Sequence, residues 1–161
     1  MNVAVGTDHA GFVLKATIVE AINALGHSVL DCGAMRIEPD DDYPDFAAAV
    51  SRAILEGRAE RGVLLCGSGV GASVAANKFV GIRSALCHDT FSARQGVEDD
   101  DMNVISLGAR VIGPSLAAEV VRAFTAATFS GLERHVRRLA KIHAIEEDAA
   151  NGVFDEARRN S

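Results

Sequence analysis

Apolar positions along the chain follow two rhythms. Short runs of β-branched and aliphatic residues recur, and between them apolar residues return every three or four positions within polar stretches. A short apolar run suits a strand covered on both faces, and the three-to-four spacing suits a helix lying on such a strand. NVAVGT (2–7), HSVLDC (27–32), RGVLLC (61–66), RSALC (83–87) and NVISL (103–107) each read as a strand. The helical pattern falls first on 11–25, where Leu14, Ile18, Ala21, Ile22 and Leu25 share a face and Gly26 ends the run. It returns on a segment opened by Pro44 and ended by Gly57, then on 71–78, 91–99, the Ala-rich 115–128 and 132–148. The acidic stretch 37–43 reads as a loop and 149–161 as a polar tail.

Five strands alternating with helices predict an α/β domain with a five-stranded parallel sheet, spanning residues 1–148. Ligands of such sheets bind at the carboxyl ends of the strands. Three short stretches fall there: Asp8-His9-Ala10-Gly11, Cys66 to Gly71, and His88-Asp89-Thr90.

Length and composition fit this frame. The 161 residues, 48% of them hydrophobic, can bury one sizeable core, and without tryptophan that core is aliphatic. A net charge of −6 argues against nucleic acid as partner, because phosphate backbones need a basic surface. It leaves room for a small anion held by a few arginines. The N-terminal residues carry no basic and apolar leader, and no stretch reaches the length of a membrane span, so no membrane partner is expected. Three cysteines, Cys32, Cys66 and Cys87, lack paired spacing, which points to free thiols and a cytoplasmic location.

The stretch LLCGSGVGAS (64–73) is the most informative. A strand, a glycine-rich turn and a helix start present backbone N–H groups to an anion. The stretch lacks the Lys and Ser/Thr of a P-loop and the spacing GxGxxG, so nucleotide binding is not expected. A redox thiol would need a resolving cysteine, and there is none nearby. Cys66 at the mouth of the loop would be favoured as thiolate by the helix end and the N–H groups. Such a thiolate can take a proton from carbon while the N–H donors hold the resulting enediolate. The competing reading of Cys66 is a small buried hydrophobe at a strand end.

Other polar residues read two ways. Arg134 and Arg138 share a face of the last helix, as phosphate ligands or as a solvated basic face. His9 suits a phosphate or a turn carbonyl, and Asp8 a sugar hydroxyl or a helix cap. Tyr43 presents a phenol to the site or only packs at a helix entry, and His88 and Asp89, polar residues at a strand end, read as N-terminal caps of the next helix. His27, His135 and His143 lack metal-ligand spacing and read as structural. The acidic clusters 40–42 and 98–101 could hold a divalent cation, but solvated loops are the expectation, and no metal is predicted.

Five stretches, GTDHAGFVLK, DCGA…DDDYPDF, LLCGSGVGASVAANKFVGIRSALCHDTFSAR, NVISLGARVIG and ERHVRRLAKI, together resemble the B-type ribose-5-phosphate isomerases and their relatives acting on six- and four-carbon sugar phosphates. They run from residue 5 to about 142. The resemblance implies a Rossmann-like αβα sandwich without nucleotide, cofactor or metal, and an active site at the interface of a homodimer, alone or within a tetramer. It implies interconversion of an aldose phosphate and a ketose phosphate through a cis-enediolate. Cys66 matches the carbon base and Ser68 the hydroxyl that assists transfer between O1 and O2. The loop N–H groups of Gly67, Gly69, Val70 and Gly71 match the oxyanion hole. His9, Arg134 and Arg138 match phosphate ligands, with Arg110 a further one, and Asp8 and Tyr43 match sugar contacts.

One departure bears on the substrate. Members acting on ribose 5-phosphate usually carry His-Asn before the fifth strand, the His opening the furanose ring on the neighbouring subunit. Here those positions are Asp99 and Asp100. Ring opening needs a base on the anomeric hydroxyl and an acid on the ring oxygen, and an ionised carboxylate has no proton to give. A tetrose 4-phosphate cannot close a furanose, so the substitution keeps a four-carbon substrate beside ribose 5-phosphate as an expectation. A protein that binds sugar phosphate without turnover is the alternative of another class.

Overall fold

In the computed structural model, which describes residues 1–153, eleven elements alternate as expected. They are β1 (Asn2–Thr7), α1 (Phe12–Ala24), β2 (Ser28–Asp31), α2 (Tyr43–Leu55), β3 (Arg61–Cys66), α3 (Val70–Ala76), β4 (Ser84–Leu86), α4 (Thr90–Asp100), β5 (Val104–Gly108), α5 (Pro114–Ala126) and α6 (Glu133–Ala150). All pairings are parallel, in the order β2-β1-β3-β5-β4. The chain thus winds outward in two directions from the β1–β3 pair.

Side-chain alternation divides the core between the two faces of the sheet. Val3, Val5, Val63, Leu65, Ile105 and Leu107 point to the side covered by α1, α4 and α5, where Phe124 is fully buried. Ala4, Leu64, Cys66 and Val104 point to the other side, under α2 and α3. The last helix, α6, lies outside these layers and packs on α4, with Glu146 accepting the Gly81 N–H at 3.0 Å.

Boundaries shift by a residue or two where local chemistry intervenes. Helix α5 starts at Pro114 and stops at Ala126, short of the expected 128. The Arg61 guanidinium donates to the carbonyls of Phe124 and Ala127 and closes the helix there. Helix α3 covers only Val70–Ala76, because the Asn77 side chain turns to the backbone of Ser84. Gly26 and Gly57 end their helices at φ +75° and +71°, as their positions predict. Asp89 caps α4 by accepting the Ser92 N–H at 2.7 Å, a bond that lowers its carboxyl below the usual value. The tail expected at 149–161 falls partly in the described region, where α6 runs to Ala150, while 154–161 lie outside the described residues.

Candidate active site

The carboxyl ends of β1 and β3 are neighbours at the point where the winding direction changes, the place where open parallel sheets bind ligands. Asp8 follows β1 and is 4% exposed. Its Oδ1 accepts the Gly11 N–H at 2.8 Å, so it does tie down the start of α1, as one of its two readings held. Its Oδ2 accepts the thiol of Cys66 at 2.9 Å. The turn can close this tightly only with glycine at position 11, where a Cβ would lie 2.3 Å from the Leu65 carbonyl.

Beyond Cys66 the chain turns through Gly69, which sits at φ +81°, into α3. Only glycine adopts that conformation without cost, and a Cβ there would also meet Leu86 at 2.7 Å. The Gly67 and Gly69 N–H groups act on the Cys66 thiol in the direction that favours thiolate. Ser68 is exposed at the mouth of the loop, its Oγ accepting the Val70 N–H at 3.3 Å. The turn after β5 is tied to the same loop, because the Arg110 N–H donates to the Gly67 carbonyl at 3.0 Å. The Arg110 guanidinium therefore lies over Gly67. Asp8, His9, Cys66, Gly67, Ser68 and Arg110 line one cavity of about 320 Å³. Tyr43 opens α2 beside it and packs against Gly71.

The resting state of Cys66 is a correction. The expected thiolate preference is outweighed: burial and the hydrogen bond and negative charge of Asp8 push the thiol up from its ordinary value, against the opposing pull of the Gly67 and Gly69 N–H groups. Asp8 is instead a proton acceptor set directly on the thiol. Cys87, buried with Asp89 nearby, is pushed further, to about 11, and is an inert core thiol.

The remaining residues read from the sequence gather elsewhere. Helix α4 starts at the carboxyl side of the sheet and runs back, so Asp99 and Asp100 lie at the amino ends of the strands, opposite Cys66. Asp99 accepts from Gln95 Nε2 at 2.9 Å and stands 3.4 Å from the ring of His135. Asp100 is exposed and lines a separate cavity of about 310 Å³ with Arg83 and Glu146. Arg134 is on the first turn of α6 at this same end, its Nε donating to His135 Nε2 at 2.8 Å, and Arg138 is exposed one turn further.

Three residues assigned no function from sequence, or only a generic one, prove to be placed around these groups. His135 is 2% exposed and links Arg134, Ser130 and Asp99. His88 is not a helix cap but accepts the Gly108 N–H at 2.9 Å, fixing the end of β5. Asp41 is not a solvated loop residue: its Oδ1 lies 2.6 Å from His9 Nδ1. The second acidic cluster is likewise engaged, Asp101 pairing with Arg83 at 2.6 Å.

A thiol bonded to a carboxylate, faced by loop N–H groups at the switch point of a parallel sheet, is the equipment of an enzyme that moves a proton on carbon. The chain belongs to the Ribose/Galactose Isomerase family, whose model matches residues 3–142. It is similar to Escherichia coli ribose-5-phosphate isomerase B, with 42% identity over 146 residues, covering 91% of this chain and 97% of that protein. It is also similar to the D-erythrulose-4-phosphate isomerase of Pectobacterium atrosepticum, with 43% identity over 131 residues, covering 81% and 86% of the two chains. The solved structure of Clostridium thermocellum ribose-5-phosphate isomerase B superposes with a TM-score of 0.88 at 40% identity, covering 92% of this chain and 99% of that one.

Proposed function

We propose that this chain is an aldose–ketose isomerase that interconverts D-ribose 5-phosphate and D-ribulose 5-phosphate through a cis-enediolate. The observation that carries the reading is the Cys66 thiol on the Asp8 carboxylate, opening into a cavity that also holds Ser68, His9 and Arg110. Asp8 takes the thiol proton as substrate binds. The thiolate removes the proton from C2, the pair of electrons passes to the carbonyl oxygen at C1, and the N–H groups of Gly67, Gly69, Val70 and Gly71 hold the enediolate oxygens. Ser68 passes a proton between O1 and O2, and Cys66 returns its proton to C1. The thiolate then recovers the proton held by Asp8.

His9 and Arg110 supply cationic donors for phosphate from the same chain. Arg134 and Arg138 lie at the far end of the sheet from Cys66, so they serve as phosphate ligands only for the cavity of a second copy. The same holds for Asp99 and Asp100 toward the sugar. This favours a homodimer in which each cavity is completed by its partner, alone or within a tetramer, with α6 carrying the completing arginines. Among the described residues no helix is long and apolar enough to cross a membrane, and the three cysteines are unpaired, which fits a cytoplasmic enzyme.

One observation favours a second substrate. Asp99 stands where ring opening would need a proton donor, and its carboxylate already accepts from Gln95. An acyclic tetrose 4-phosphate needs no such donor, and the Pectobacterium relative is named for a four-carbon sugar phosphate. Turnover of ribose 5-phosphate and erythrose 4-phosphate, measured side by side with Cys66→Ala as blank, tests both readings. An isomerase loses turnover in Cys66→Ala while keeping substrate affinity, and a protein that only binds sugar phosphate shows no turnover to lose.

A further inference from the structure

His9 has a partner that neither the glycine loop nor the arginines explain. Asp41, in the loop before α2, accepts from two groups of one residue: the His9 backbone N–H at 3.1 Å and the His9 ring at 2.6 Å. Its second oxygen, Oδ2, is buried and has no hydrogen-bond partner among the described residues. The side chain is 13% exposed. A carboxylate this enclosed, with one oxygen bare, is costly without a counter-charge at hand. The imidazole of His9 is the ring it touches.

The geometry also fixes the ring. A carboxylate can only accept, so Nδ1 carries a proton, and Nε2 is left for the cavity. Asp41 itself does not line that cavity, whereas His9 does. The carboxylate thus stands behind the imidazole, on the side away from the ligand. A phosphate oxygen at Nε2 requires a donor there, hence a second proton and an imidazolium, whose charge Asp41 offsets from behind.

We propose that Asp41 is a positioning residue that holds His9 as a doubly protonated donor to the phosphate of the substrate. The proposal rests on the reading of this cavity as a sugar-phosphate site. It makes Asp41 a determinant of phosphate affinity and not of the proton transfer at carbon.

The test uses the whole chain, with KM and kcat for the sugar phosphate and the calorimetric Kd for inorganic phosphate. Loss of one charge-assisted bond predicts that Asp41→Ala raises both KM and the phosphate Kd about tenfold while kcat stays within about twofold. Asp41→Asn can still accept from Nδ1 but carries no charge, so it falls between, and it serves where the alanine variant does not fold. In His9→Asn the added Asp41→Asn change has no further effect, because the two residues act through one contact. A lower Tm with unchanged KM and phosphate Kd overturns the proposal and leaves Asp41 as a pin for its loop, as do additive effects in the double variant. Phosphate Kd reads the proposal even if isomerase turnover on every sugar tried is absent, which would sink the reading of the reaction alone.

Discussion

Cys66 and Asp8, 58 residues apart in sequence, meet at 2.9 Å because β1 and β3 are adjacent and Gly11 lets the first turn close onto the end of β3. The contact has two opposite consequences. Asp8 raises the thiol, through its hydrogen bond and its charge, and at the same time offers the base that can deprotonate it. Asp8→Asn separates them. Without the carboxylate, the thiol ionises at lower pH, so the alkaline rise in iodoacetamide labelling of Cys66 moves to lower pH than in wild type. Isomerase kcat nevertheless falls, by about 100-fold or more, because the proton acceptor is gone. Labelling that shifts to higher pH, or a kcat that is unchanged, contradicts the assigned role.

The glycine loop turns at one residue, Gly69 at φ +81°, where an added Cβ would meet both Leu86 and the Leu107 carbonyl. Gly69→Ala adds about 1–2 kcal/mol of backbone strain and a comparable cost of overpacking. A Tm lowered by about 5–15 °C is expected for a chain of this size. Because the N–H groups of the loop move with it, kcat falls more than the loss of folded protein accounts for. Differential scanning calorimetry beside kinetics on the folded fraction checks both.

Much of this could be read from residue order. The five strands and six helices follow the apolar rhythm, which is clearest where β1, β3 and β5 are covered on both sides and α1 to α5 bury one face against them, and weakest at the edge strands β2 and β4 and in α6. The glycine loop, Cys66 and the strand-end placement of Asp8 and His9 are local features with local signatures. What was not legible depends on residues distant in sequence. The distance from Asp41 to His9 is decided by how a coil crosses the sheet edge, and no spacing encodes it. The burial of His135 follows from the docking of α6 on α4, where a polar first turn meets Ser130 and Asp99. The protonation of Cys66 is illegible for the same reason, because burial and the Asp8 carboxylate outweigh the nearby N–H groups only once the two strands are paired and covered.

Arg138 and Cys66 lie at opposite ends of one sheet, so a cavity completed by a second copy has a distinctive genetic behaviour. Cys66→Ala and Arg138→Ala are each expected to be nearly inactive alone. Refolded together in equal amounts, they form hybrid dimers in which one of the two cavities carries both native residues. Random pairing makes half the dimers hybrid, so activity returns to about a quarter of wild type. A mixture that stays inactive while size-exclusion chromatography shows dimers means that each chain serves its own cavity.

Asp99 offers the sharpest view of the substrate. Its carboxylate accepts from Gln95 and lies 3.4 Å from the buried His135, so in place it is an acceptor and not a donor. Opening a furanose needs a proton delivered to the ring oxygen, and the four-carbon substrate has no ring to open. Asp99→His provides a group that can take one proton and give another. It should raise kcat/KM for ribose 5-phosphate about tenfold, the low end of what a placed acid–base group contributes. Erythrose 4-phosphate, already open, should change by no more than about twofold, since its turnover includes no ring-opening step. Equal gains on both sugars would mean that residue 99 acts on a step they share. A gain confined to ribose 5-phosphate would identify ring opening as the step that Asp99 limits, and would place the present enzyme nearer the four-carbon substrate than its ribose-specific relatives.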